Sequence, residues 1–432
     1  MDASAWDWGS KASVSSFYRE NPTLQSDNRE QPSLFSLLAT YEMDITRTSG
    51  NSRFTLTPRV TRSFYPDKKN KDLENTGYYI IGRSQYIRQT ITWGLSFSAS
   101  QESVLSDDNS IAQDGSRNFR EDDIVHNFTL SPNFTWSITE RDQFQLAFNA
   151  GVTNYDLDYT GRSDLENYSA NAVYSHALST RQKVGLSGYY SDSTAKGENC
   201  IFNLNPFIPL PPPRFTPCDN DGLPPGLVNA FTKNKTNSLT LSFDYQFATS
   251  ETSNLKIRYG LQQSDSTQQW RDANGNTLIA NADGPSEEIA TVYDSTSYNI
   301  TFNKRMELYE FDLSAQRSVQ PSVEGTPQDK DQLTFNGKVK LSPRLTSELY
   351  INAWERESIF LASESNPTNF QRKTRYLQGN LSLSWLFTRK WGVSGTYTYR
   401  RRFQEKGLVE PSRLATSNSL QLNLTYKFKE IR

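Results

Sequence analysis

The sequence predicts an all-β protein: a transmembrane antiparallel up-and-down β-barrel of about 18 strands, with 16 as the lower count. Three observations point there. Apolar and polar residues alternate along most of the chain, and no stretch sustains a helical period of 3.6. The connections between alternating segments are short and long in turn. The composition is polar overall yet rich in aromatic residues.

The composition fits because only the lipid-facing half of such a wall must be apolar. Hydrophobic residues make up 35% of 432 residues, and the mean hydropathy is −0.70. No run approaches the roughly 18 apolar residues of a spanning helix. With 22 Tyr, 24 Phe and 8 Trp the chain is too aromatic for a disordered polymer. A net charge of −2 gives no field that favours nucleic acid.

The alternation is readable residue by residue. The last segment puts Leu420, Leu422, Leu424, Tyr426 and Phe428 on one face, with Gln421, Asn423, Thr425 and Lys427 on the other. Leu239, Leu241, Phe243, Tyr245 and Phe247 repeat the pattern, as do Leu333, Phe335, Gly337, Val339 and Leu341. The fourth segment is ambiguous, because Tyr78, Ile80 and Tyr86 compete with Tyr79, Ile81 and Ile87 for the outward face. Pro58 and Pro132 lie inside segments; each removes a ladder donor, so a bulge or irregularity is expected there.

Short connections fall at Ser49–Asn51, Arg88–Thr90, Thr139–Arg141, Ser179–Arg181, Thr249–Thr252, Arg305–Leu308, Ser342–Arg344 and Thr388–Lys390. Longer polar segments lie between them, at 21–32, 66–77, 105–121, 156–165, 197–234, 269–294, 322–329, 360–369 and 406–413. Short periplasmic turns and long extracellular loops are the outer-membrane pattern, and an even strand count puts both termini on the short-turn side. Residues 1–432 are thus read as a single barrel domain. Trp136, Trp385, Phe387 and Trp391 sit beside short turns, where an aromatic girdle belongs.

The opening MDASAWDW carries no hydrophobic leader. It suits either a cytosolic protein or a secreted one whose signal has been replaced, and the alternation favours the second. Cys200 and Cys218, the only cysteines, share the Pro-rich segment 197–234, which fits a disulfide formed in an oxidising compartment. That segment is expected to fold over the barrel mouth as a constriction or to serve as an outer contact surface, because Ile201, Phe202, Phe207, Ile208 and Leu210 are unusual in a solvated loop.

Three passages, SVSSFYRENPTLQSDN, RFTLTPRVTRSFYPD and FTLSPNFTWSITERDQFQLAFN, resemble a family of bacterial outer-membrane β-barrel proteins with porin-like members. Some members of that family are associated with exopolysaccharide or exosortase gene clusters. The resemblance implies one large barrel and a link to polysaccharide export, and it supplies no catalytic motif. The final segment, Leu420, Leu422, Leu424, Tyr426 and Phe428, also looks like the C-terminal signal read by the barrel-insertion machinery, although residues 429–432 follow the last aromatic.

The chemistry predicted is passage, without catalysis, cofactor or metal. His126 and His176 are the only histidines, and neither has a second ligand at metal spacing. No phosphate-binding glycine loop occurs. The functional surface is expected to be the lumen, lined by Arg59, Lys183, Lys256, Arg258, Lys338, Lys340, Tyr350, Trp354, Arg356, Arg400, Arg402 and Lys427. Glu42, Asp44, Asp244, Glu310 and Asp312 share that face, as do the aromatic residues Tyr189 and Tyr376. The basic excess favours anionic solutes, an acidic polysaccharide among them, while hydration of a wide wall is the plainer role for the same charges. A channel for a hydrophilic solute or polymer, with exopolysaccharide export as one form, competes with a general diffusion porin and with a structural or adhesive barrel. The partners implied are outer-membrane lipid and lipopolysaccharide, the insertion machinery and periplasmic polysaccharide-export components, with the location in a Gram-negative outer membrane.

Overall fold

A computed structural model describes residues 5–21, 33–103, 124–156, 163–202, 227–271, 280–281, 284–285, 289–321, 327–358, 372–405 and 413–428. Alternating side chains form long strands because β-branched, aromatic and small polar residues sit well on a pleated surface with two different faces. In chain order they are β1 (Ala5–Glu20), β2 (Ser33–Ser49), β3 (Ser52–Phe64), β4 (Thr76–Arg88), β5 (Ile91–Ser103) and β6 (Ile124–Ser137). Next come β7 (Asp142–Tyr155), β8 (Ser163–Ala177), β9 (Gln182–Phe202), β10 (Leu227–Ser250) and β11 (Ser253–Arg271). The pair β12 (Ala280–Asn281) and β13 (Gly284–Pro285) forms a two-residue ladder apart from the main sheet. Then follow β14 (Ile289–Arg305), β15 (Tyr309–Pro321), β16 (Pro327–Ser342), β17 (Leu345–Ser358), β18 (Arg372–Leu386), β19 (Trp391–Gln404) and β20 (Arg413–Lys427).

These strands build one closed, antiparallel, 18-stranded sheet in which each strand pairs with its sequence neighbours. Closure comes from β1 against β20, from Lys11↔Lys427 to Glu20↔Asn418. No strand is left at an edge, which matters wherever water is absent to satisfy backbone groups.

The turns at the short end share one device. The Oγ of Thr139, Ser179, Ser342 and Thr388 each accepts from the backbone N–H groups two and three residues on, at 2.9–3.2 Å. A hydroxyl at the first turn position thus replaces two missing ladder partners. Gly50 supplies the left-handed conformation (φ 46°) that the first turn needs.

Four details differ from the sequence expectation. Residues 197–202 and 227–234 are strand, paired from Gly197↔Thr232 to Phe202↔Leu227, so the β9–β10 connection is shorter than 197–234. Residues 289–294 likewise belong to β14, not to a 269–294 loop. Alternation thus fades toward these strand ends before backbone pairing does. Third, of the bulge or irregularity expected at Pro58 and Pro132, the irregularity is present and the bulge is not: the β2–β3 and β6–β7 ladders skip rungs beside them and resume in register. The register shifts occur instead next to short turns, at Ala248/Ser250 and Lys340/Ser342. Finally, a 3-10 turn, Lys68–Leu73, occupies part of the β3–β4 loop.

Candidate functional site: the barrel interior

Pairing assigns every strand residue to one of two faces. One face carries Leu241, Leu261 and Leu186, which are 62%, 67% and 64% exposed. The other carries Trp354, Tyr376 and Arg400, at 4%, 2% and 2%. A single closed sheet hides large side chains only inside, so the second face is the interior. For β4 this resolves the ambiguity: Tyr78, Ile80 and Tyr86 point outward, and Tyr79 and Ile81 inward.

At the short-turn end the outer face bears a continuous aromatic row. Ring centroids step from Tyr41 to Phe428 (6.4 Å), Tyr426 (4.9 Å), Trp391 (4.7 Å), Phe387 (6.5 Å) and Trp385 (5.8 Å). A shallow outer groove of about 290 Å³ between Leu130, Pro132, Phe148, Tyr168 and Tyr190 is apolar and turned away from the interior.

Register places Arg59, Lys183, Lys256, Arg258, Lys338, Lys340, Tyr350, Trp354, Arg356, Arg400, Arg402 and Lys427 on the interior face, with Glu42, Asp44, Asp244, Glu310 and Asp312. They separate by height. Trp354, Tyr376, Arg400 and Arg402 lie toward the long-loop end and are buried. Trp354 stacks on Tyr376 at 5.1 Å, and the Lys330 ammonium and Arg356 guanidinium approach the Trp354 ring at 5.6 and 5.7 Å. Lys183, Lys256, Lys340 and Lys427 lie within a few residues of the short-turn end and are exposed. None of those four lysines forms an ion pair among the described residues. Lys11–Glu42 (2.7 Å), Arg258–Asp244 (2.5 Å) and Lys338–Glu348 (2.7 Å), by contrast, neutralise one another across strands.

The interior is also uneven around its circumference. The inner faces of β6, β7 and β8 carry no charged side chain among the described residues. Hydroxyls and amides occupy them and bond across strands: Thr153 to Asn127 (2.8 Å), Ser131 to Asn149 (2.7 Å) and Ser98 with Thr129 (2.7 Å). Charged side chains resume on the inner face with Lys183 on β9, Asp244 on β10 and Lys256 and Arg258 on β11, and continue around the wall through β14–β20 to β5.

At the mouth, β15 parts from β14, while β16 stays paired with β17 out to Gln328↔Ser358. The β14–β15 ladder climbs from Arg305↔Glu310 to Tyr298↔Arg317 and stops, although β14 continues to Ile289 and β15 to Pro321. Above that point the Gln262 amide, on the inner face of β11, donates to the Val319 carbonyl at 3.0 Å and accepts from the Val319 N–H at 3.2 Å. The Tyr293 hydroxyl, on the inner face of β14, donates to Asp329 on β16 at 2.6 Å. Both contacts run from interior faces, so β15 and β16 lean over the lumen at Val319 and Asp329, and Val319, Gln262 and Gln328 are buried. Sequence reading missed this group, because a glutamine at an inward position looks like one more polar wall residue. The expected Cys200–Cys218 bridge falls outside the described residues, as do the Pro-rich residues 203–226.

Farther out, β8 and β9 run on toward their long-loop ends, with 15 and 21 residues in all. There Lys196 binds Glu166 at 2.7 Å, and that hydrogen bond holds its ammonium above the ordinary lysine range. The histidines sit at opposite ends, His126 Nε2 2.9 Å from Asp156 and His176 Nδ1 2.7 Å from Asp142. The Thr139 and Tyr174 hydroxyls bond to Asp142, not to the imidazole, so no hydroxyl–imidazole–carboxylate relay forms among the described residues.

No family model matches the chain, and no curated protein matches it. Solved structures do. The unliganded ferric citrate transporter FecA has a TM-score of 0.52 at 9% identity, over 98% of this chain and 79% of that one. Acinetobacter baumannii OccAB2 has 0.46 at 11%, over 98% of both chains, and Pseudomonas aeruginosa OprD has 0.41 at 10%, over 98% and 96%. At such identities the FecA likeness speaks for the barrel fold alone.

Proposed function

We propose that this protein is an outer-membrane channel of a Gram-negative bacterium that passes hydrophilic solutes and favours anions. The observation that carries the proposal is the division of the wall: exposed leucines and an aromatic row outside, hydroxyls, amides and the unpaired Lys183, Lys256, Lys340 and Lys427 inside. An apolar exterior of this size is stable in hydrocarbon and costly in water. Unpaired cations in a water-filled, low-dielectric tube raise the local concentration of anions. The test is the reversal potential of the reconstituted protein in a planar bilayer under a salt gradient. An anion-selective current supports the proposal; no current, or a cation-selective one, overturns it. A silent bilayer would instead favour a structural or adhesive barrel with an occluded lumen.

A polymeric solute is the finer form of this reading. The exposed lysines at the short-turn, periplasmic end are placed to meet an acidic polysaccharide before it enters, with export components delivering it there. Current block by an acidic polymer added at that end, with a neutral polymer inert, distinguishes export from general diffusion. Lipopolysaccharide around the apolar belt and the barrel-insertion machinery acting on Leu420, Leu422, Leu424, Tyr426 and Phe428 complete the proposed partners.

A further inference from the structure

We infer that the leaning β15–β16 hairpin is the outer constriction of the channel and that Gln262 is the residue that sets its size limit. This rests on the channel reading above. The ladder break at Tyr298↔Arg317 is the hinge. Had β15 kept to the wall, the register would place Val319 opposite Thr296. Instead the Gln262 amide takes up both backbone groups of Val319, as a neighbouring strand would. One side chain thus takes the place of β14 along this stretch, and it holds β15 inward over the lumen while β16 stays laddered to β17.

The tie is specific but shallow. Tyr293 to Asp329 adds a third hydrogen bond and a second tie. Against these stand the hydroxyls of Ser295 and Ser318 and one Asp329 carboxylate oxygen, which are buried with no hydrogen-bond partner among the described residues. A buried polar atom without a partner costs about as much as a made hydrogen bond gains. The leaning and wall-bound positions are therefore close in free energy, and removal of Gln262 shifts the balance toward the wall. Pro321 and Pro327, paired across the hairpin, lack N–H groups of their own.

The test uses the full chain reconstituted in lipid, with Cys200→Ser and Cys218→Ser as background. Cysteines are introduced by Thr296→Cys and Val319→Cys, which cross-link only when β15 rejoins β14. Adding Gln262→Ala is expected to speed oxidative cross-linking about tenfold, the factor carried by two neutral hydrogen bonds. Without the cysteines, Gln262→Ala is expected to raise single-channel conductance and to admit larger neutral polyethylene glycols. Gln262→Glu, which keeps an acceptor for the Val319 N–H and loses the donor, falls between. Equal cross-linking rates with and without Gln262 overturn the hinge, and an unchanged exclusion limit overturns the constriction. If Gln262→Ala does not fold, Tyr293→Phe, which removes only the second tie, is held to the same two criteria. A wild-type protein that conducts nothing defeats the channel reading, and the cross-linking rates still decide the hinge.

Discussion

The Arg59 guanidinium lies 3.9 Å from the ring centroid of Tyr79 on the neighbouring strand, and the Tyr79 hydroxyl donates to Glu102 at 2.6 Å. Three strands, β3, β4 and β5, are thereby linked through one inward phenol. Tyr79→Phe keeps the ring under the guanidinium and removes the hydrogen bond. It is expected to lower stability by about 1 kcal/mol, and Tyr79→Ala by more, since the cation–π contact goes as well. Urea unfolding in detergent micelles, followed by tryptophan fluorescence, reads both differences.

Charge reversal of the unpaired lysines tests the lumen. Replacing Lys183, Lys256, Lys340 and Lys427 together by Glu is expected to turn anion preference into cation preference. The change is largest in dilute salt, because the screening length falls from about 30 Å at 0.01 M to about 3 Å at 1 M. Reversing Lys338, which is already neutralised by Glu348, is expected to move the reversal potential less. Equal effects from paired and unpaired positions would contradict the assignment.

Two neighbouring residues on β20 separate the faces. Leu422 points outward and is 52% exposed; Asn423 points inward and bonds Ser15 at 3.0 Å. Leu422→Arg is expected to cost about 2–4 kcal/mol in a bilayer, near the middle of the apolar belt. Asn423→Ser, a small change inside, is expected to cost about 1 kcal/mol or less. Folding equilibria in lipid vesicles measure the contrast, and a tolerated Leu422→Arg would argue against lipid contact.

Ser342 and Thr388 each satisfy two backbone donors of a short turn. Ser342→Ala and Thr388→Ala are each expected to destabilise by about 1 kcal/mol, as the loss of a helix N-cap does by the same mechanism. The effect belongs to the turn, so conductance and selectivity stay as in the wild type.

The barrel was legible in the sequence because a closed wall with an apolar outer and a polar inner face imposes period-2 patterning on every strand; the closing strand, with Leu420, Leu422 and Leu424 outside, shows it plainly. The four serine and threonine turns were legible for a related reason, since a hydroxyl at that position has a local task. Toward the long-loop ends the signal failed. The outer ends of β9, β10 and β14 alternate weakly and looked like loop, while backbone pairing carries them on. The mouth was not legible at all. Gln262 meets Val319 across 57 positions of sequence, and that meeting depends on β15 leaving its neighbour, an event that no local pattern announces.

The seam between β1 and β20 has a kinetic consequence. Its rungs join residues 11–20 to residues 418–427, so closing the cylinder requires two stretches about 400 residues apart to meet, a slow non-local step. A chain stopped before Arg413 would hold two open flanks of unpaired amides and carbonyls, a form that the hydrocarbon interior does not tolerate. That distant pairing is thus the contact on which a sheet without edges depends.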